Sequence, residues 1–163
     1  MLKIISLMEE LKVFRGINAI NVDEKGRLSI PTRYRQRLLD VAQGHLILTI
    51  DTEQRCLLLY SLPAWEVIEA KIEALPSFNK TTRRIQRLLL GHATEVEMDK
   101  QGRILLPPLL REYASLDGRV IMLGQGKKFE LWNEETWQTQ RDHWLGEELN
   151  DDSLPDELDS LAL

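Results

Sequence analysis

Apolar residues in this chain gather in short runs separated by polar or glycine-containing turns. "HLILTI" (45–50), "CLLLYSL" (56–62), "RVIMLG" (119–124) and "KFELWN" (128–133) are strand-length runs of this kind. The turns between them, "DTEQR" (51–55) and "QGKK" (125–128), are polar or carry glycine. Two other segments have helical spacing. "AWEVIEAKIEAL" places apolar residues at 65, 68, 72 and 75, and "EETWQTQRDHWL" at 137, 144 and 145. "TRYRQRLLDVA" (32–42) and "PLLREYASL" (108–116) each open behind or on a proline, which the first helical turn tolerates, and read as short helices. "TTRRIQRLLLGHA" (81–93) reads as a further helix, capped by Thr81 or Thr82 and ended by Gly91.

The pattern occurs twice. "DEKGRLSIPTRYRQRL" (23–38) aligns with "DKQGRILLPPLLREYA" (99–114) at an offset of 76, with Asp23/Asp99, Gly26/Gly102, Arg27/Arg103, Pro31/Pro107 and Arg35/Arg111 identical. A second block, "LLLYSLPAWE" (57–66) and "FELWNEETWQ" (129–138), aligns at an offset of 72, anchored by Tyr60/Trp132 and Trp65/Trp137. Two blocks in the same order indicate a tandem duplication. In each copy an extended stretch ("INAINV", "ATEVEM") runs into an Asp-x-x-Gly turn, where glycine takes a positive φ, and then a short strand, a helix, two strands and a closing helix. A copy is only about 45 residues before its closing helix, too few to bury much core alone. The two strand sets are therefore predicted to intercalate into one pseudo-symmetric, β-rich α+β body.

Charge adds a direction to this picture. The 163 residues carry a net charge of −5, but eight acids and no lysine or arginine lie from Asp142 onward. Residues 1–141 then hold 18 acids against 21 basic residues, and residues 14–38 hold six basic residues against Asp23 and Glu24. A basic body with an acidic tail fits a polyanion partner. From about Gly146 the acids, with scattered leucines, predict a mobile tail whose "LPDELDSLAL" end has weak amphipathic spacing. No segment is apolar enough for a membrane span, and "MLKIISLMEELKVF" lacks the apolar centre of a secretory signal, so a cytoplasmic location is expected. A single cysteine, Cys56, excludes an internal disulfide and a cysteine-based zinc site, and His45, His92 and His143 lack metal-ligand spacing. No metal, cofactor or small-molecule substrate is expected. No Ser/His/Asp or Cys/His arrangement or phosphate loop points to an enzyme.

The turn accounts for Gly26 and Gly102, but not for an arginine four residues after the aspartate in both copies. Two readings stand. The Asp–Arg pair closes the hairpin, or it fixes the guanidinium for contacts to phosphate or guanine, which its planar, permanently charged fork suits. Arg83, Arg84 and Arg87 on the linker helix are most simply a solvated or subunit-bridging face. Trp65, Trp132, Trp137 and Trp144 sit in or beside apolar patterns and read as core or interface residues rather than a base-stacking platform.

Asp-x-x-Gly-Arg, an apolar strand, proline and a basic helix, present twice over residues 14–145, resemble the SpoVT-AbrB swapped-hairpin family. The resemblance implies two tandem hairpin repeats, 17–64 and 93–136, forming a pseudo-two-fold double-ψ-barrel-like body. A helical connection (65–92) and a C-terminal helix with the acidic tail (137–163) flank it. It also implies a transcriptional regulator, nucleoid-associated and without cofactor. Such a regulator binds repeated elements of double-stranded promoter DNA as a ring-shaped homo-oligomer and represses its own division and cell-wall operon. Carried over residue by residue, the DNA-binding positions are Asp23, Lys25 and Arg27 with the helix residues Arg33, Arg35 and Arg37, and Asp99 with Arg103. Copy two departs from copy one, with Gln101, Leu109 and Tyr113 in place of Lys25, Arg33 and Arg37. Copy one is thus expected to carry more of the electrostatic affinity. Residues 1–12 lie outside the pattern and are read either as an over-extended start ahead of Val13, the favoured reading, or as a helical appendage. The alternative function is an antitoxin-type DNA-binding module, against which two full copies and a short tail argue.

Overall fold

The computed structural model describes residues 13–147, Glu157 and Leu161. The first twelve residues and most of the acidic tail lie outside the described residues.

Among the described residues, eight strands fall into two sheets. β1 (Phe14–Asn21), β3 (His45–Ile50), β4 (Leu57–Ser61), β5 (Thr94–Glu97), β7 (Arg119–Gly126) and β8 (Lys128–Asn133) form one antiparallel sheet in the order β1-β7-β8-β4-β3-β5. The short strands β2 (Arg27–Ser29) and β6 (Arg103–Leu105) form a separate antiparallel ribbon. The sheet order reads the same from either edge once the repeats are exchanged. β1 of the first repeat pairs with β7 of the second, β5 of the second with β3 of the first, and β4 and β8 meet at the pseudo-two-fold axis. The strand sets intercalate as the duplication predicted, because neither repeat alone can cover its apolar strands.

The main core lies between the sheet and a layer made of the ribbon and two helices, α1 (Thr32–Ala42) and α4 (Pro108–Tyr113). Leu46, Leu48, Leu57, Leu59, Val120, Met122, Phe129 and Leu131 face it from the sheet. Leu28, Tyr34, Leu38, Ile104 and Leu110 meet them from the other layer. Residues of the opposite parity turn to the outer face. There Ile47, Leu58 and Tyr60 pack under Trp65 of α2 (Leu62–Glu73), and Ile121 and Trp132 pack under Trp137 of α5 (Glu134–Gly146). β3 and β4 are covered on both sides, which explains why they read as continuous apolar runs rather than alternating ones.

Local chemistry sets the helix ends. The Ser61 hydroxyl accepts from the Ala64 amide to start α2, and Asn133 accepts from the Thr136 amide to start α5, whose first turn carries Glu134 and Glu135. α1 ends with Gln43 at φ 55°, and the Gly44 amide reaches back to Leu38 O.

The linker differs from the sequence reading. Its cap is Asn79, whose side chain accepts from the Thr81 and Thr82 amides, not either threonine. After α3 (Lys80–Ile85) the chain widens into a π-helical turn, Gln86–Leu90, and Gly91 is still helical at φ −64°. The buried Thr49 hydroxyl of β3 donates to Leu89 O at 2.7 Å, a tertiary bond that spacing within the linker does not reveal. α4 stops at Tyr113, short of the predicted helix over 108–116, because Ser115 takes φ 52°. Trp144 and Leu145 are exposed rather than buried, as is Leu75.

Candidate nucleic-acid interface

Each Asp-x-x-Gly-Arg segment is a hairpin turn held by the same bonds. Asp23 Oδ1 accepts from the amides of Lys25 and Arg27, both at 2.9 Å, and Oδ2 accepts from Arg27 Nε at 2.7 Å. Asp99 repeats this with the Gln101 and Arg103 amides at 2.9 Å and Arg103 Nε at 3.0 Å. In both turns the glycine amide donates to the aspartate carbonyl at 3.0 Å, at φ +81° for Gly26 and +76° for Gly102. The Arg27 amide, followed by its guanidinium and the Lys25 amide, holds the Asp23 carboxyl below its ordinary value of 3.8 against an opposing cost of desolvation. The Arg103 and Gln101 groups do the same for Asp99. Each aspartate is thus a fixed anion that engages Nε and leaves the outer nitrogens of the guanidinium without a hydrogen bond among the described residues.

The ribbon brings the two turns together. Arg27 pairs with Leu105, Leu28 with Ile104 and Ser29 with Arg103. Strand alternation buries Leu28 and Ile104, and Arg27, Ser29, Arg103 and Leu105 share the outward face. The turns are also clamped across the repeats. Gly26 O accepts from the Leu106 amide at 2.9 Å, and Gly102 O from the Ile30 amide at 2.8 Å.

The three arginines of α1 are placed differently from one another. Arg33 is exposed, bonded to Asn18 Oδ1, with its guanidinium 4.6 Å from the Tyr34 ring centre. Arg37 donates from Nη1 to Val13 O at 2.8 Å and lies 6.0 Å from the Phe14 ring centre. Arg35 is turned inward. Its Nε donates to Ile30 O at 2.7 Å, and the guanidinium covers Gly102 of the other repeat so closely that a Cβ there would collide with it. Its counterpart Arg111 donates from Nε to Leu116 O at 2.9 Å, pairs with Asp117, and covers Gly26. The sequence reading grouped Arg35 with the DNA-facing residues. The structure gives it a supporting place beneath a turn, and the identity Arg35/Arg111 was the available signal. Lys25 is exposed beside the ribbon, whereas Tyr113, opposite number of Arg37, spends its hydroxyl on Asp51 O at 2.7 Å.

Burial pushes the Cys56 thiol far up, away from the reactive thiolate, and no cluster of three metal-binding side chains occurs among the described residues. No helix among the described residues is long and apolar enough to cross a membrane.

A duplicated β-rich fold that presents paired Asp–Arg hairpins on one ribbon defines a class. The family described as "MraZ protein, putative antitoxin-like" matches at residues 13–88 and again at 89–153. The chain belongs to the MraZ family. It is 60% identical over 152 residues to "Transcriptional regulator MraZ" of Coxiella burnetii (strain RSA 493 / Nine Mile phase I), covering 93% of this chain and all of that protein. The protein of the same name from Legionella pneumophila (strain Paris) is 55% identical, and that from Halorhodospira halophila (strain DSM 244 / SL1) 52%, with the same coverage.

Proposed function

We propose that the chain is a sequence-specific regulator of transcription that binds double-stranded DNA, with the β2–β6 ribbon as its reading head. The observation that carries this is the pair Arg27 and Arg103, on one outward face, each held at Nε by its own aspartate. A two-stranded ribbon fits the major groove, and a pre-set planar guanidinium loses little freedom when it docks on guanine or phosphate. Lys25, Arg33 and Arg37 add cations from the first repeat. Asp23, Asp99 and Arg35 act from behind, by fixing the pose and backing the turns. The relatives' description as transcriptional regulators supports the regulatory reading.

A ring of copies repeats the ribbon along tandem promoter elements and raises effective concentration without any new contact type. In this reading the regulator is nucleoid-associated and represses its own division and cell-wall operon. The intercalated hairpins form the swapped-hairpin, double-ψ-barrel-like body of the SpoVT-AbrB kind. Arg27→Ala is expected to abolish retardation of the DNA upstream of its own gene while leaving circular dichroism and oligomeric mass unchanged. Normal retardation by that variant refutes the role. The family's antitoxin-like description favours a second reading, a DNA-binding module that captures a protein partner, which isolation of a stoichiometric partner protein would establish.

A further inference from the structure

The ribbon's outward face is less symmetric than its backbone. The pseudo-two-fold exchanges Arg27 with Arg103, but it exchanges Ser29 with Leu105. Arg27 therefore has a leucine directly across the ribbon where Arg103 has a serine. Leu105 leaves 58% of its surface exposed on the outward face beside the Arg27–Asp23 and Arg103–Asp99 pairs, and it borders the same groove as Lys25. Four residues on, the still more exposed Leu109 stands where the first repeat carries Arg33. An apolar side chain there adds nothing to phosphate binding. The major groove offers it one apolar partner, the 5-methyl group of thymine.

We propose that Leu105 is a specificity-determining residue that takes a thymine 5-methyl group beside the contact made by Arg27. The assignment rests on the ribbon being the DNA-reading element. Ser29, across from Arg103, offers a hydroxyl instead, so the two halves of the ribbon present different chemistry to the base edges.

The test uses the full-length protein and the DNA upstream of its own gene. Each thymine of the protected element is replaced in turn by deoxyuridine, which lacks only the methyl group. The wild type is expected to lose about four-fold in affinity at one thymine, the effect of one methyl-sized group left in water. Leu105→Ala should bind the unmodified DNA about as weakly as the wild type binds that substituted DNA, with no further loss on substitution. Since Leu105 is exposed, folding is not at stake, and Leu105→Ser, which copies Ser29, should behave alike. Equal methyl sensitivity in the variant, or none in the wild type, overturns the assignment and leaves DNA binding standing. A changed oligomeric mass overturns it in favour of a contact between copies. Failure of the wild type to bind any upstream DNA removes the DNA reading itself, and this assignment with it.

Discussion

The guanidinium of Arg35, on the helix of the first repeat, lies across Gly102 in the turn of the second, and Arg111 lies across Gly26 in return. Both turns that aim the outward arginines are therefore backed by an arginine of the other repeat, and neither hairpin is complete without its partner. The exchange gives a structural reason for two identities, glycine and arginine, that the duplication preserves in both copies.

This backing is unequal, and its inequality can be measured. Gly102→Ala places a side chain at positive φ, worth about 1–2 kcal/mol, and also displaces Arg35, whose Nε is held by Ile30 O. Gly26→Ala meets its arginine less closely, with Arg111 Nη1 3.1 Å from the added carbon, although Leu116 O and Asp117 hold that guanidinium in turn. In urea titrations at one protein concentration, Gly102→Ala should unfold at the lower midpoint. Arg35→Ala in that background should recover part of the difference. Equal midpoints for the two alanine variants would show that the arginine above Gly102 is not a constraint.

Acid should reach the hairpins late. Asp23 and Asp99 are lowered in the folded state, so their stabilising contribution is fully present above the unfolded value near 3.8 and disappears as pH falls through the lower folded value. Carboxyl-carbon NMR titration should place both midpoints below 3.8, with the Arg27 and Arg103 Nε–H signals unchanged down to about pH 4.5. Asp23→Asn keeps an acceptor for the two amides and removes the charge facing Nε. About a three- to ten-fold loss of DNA affinity is expected, smaller than that of Arg27→Ala, because the asparagine Nδ2–H2 cannot accept from Nε, so the guanidinium loses its fixed pose but keeps its charge. A midpoint at or above 3.8 would contradict the pairing.

Arg33 and Arg35 separate contact from support. Arg33→Ala should reduce the slope of log affinity against log salt by about 0.9, the counterion share of one phosphate contact, and move the urea midpoint less than Arg35→Ala does, since it gives up only an exposed bond to Asn18 and its place over Tyr34. Arg35→Ala should lower the midpoint, since it strips the cover from Gly102 and the bond to Ile30 O, and its salt slope should change little in the range where it is folded. The reverse assignment of slope and midpoint would return Arg35 to the contact surface.

How far the sequence could be read follows from the range of the forces involved. Asp23, Gly26 and Arg27 interact within five residues, so the turn, its positive φ and its ion pair were legible from local chemistry. The intercalation of the repeats was legible because duplicated apolar strands too short to bury a core must share one. Arg35 looked like a third DNA contact because its partner, Gly102, is 67 residues away and glycine carries no chemical signature of what lies over it. The linker's true cap, Asn79, lay just before the apolar run that drew attention to Thr81 and Thr82. Its π-helical turn is tied by Thr49, a residue in another element altogether. Ser29 and Leu105 passed as strand alternation until the register set them beside Arg103 and Arg27.

Trp144 was read as part of the closing helix's apolar face, yet it keeps 42% of its surface in solvent. It stands edge-on to Trp132, ring centres 5.9 Å apart at 90°, and 6.3 Å from Trp137, which itself lies 5.6 Å from Trp132. The three rings therefore form a stack that passes from buried to wet, and their contributions should follow that order. Trp137→Ala empties a buried site and is expected to cost about 3 kcal/mol, whereas Trp144→Ala loses an edge-to-face contact and partial burial worth about 1 kcal/mol. Urea midpoints at fixed concentration, combined in a double-substitution cycle, should show coupling between the two positions, since both rings lean on Trp132. Strict additivity would mean that Trp144 does not pack on this cluster in solution.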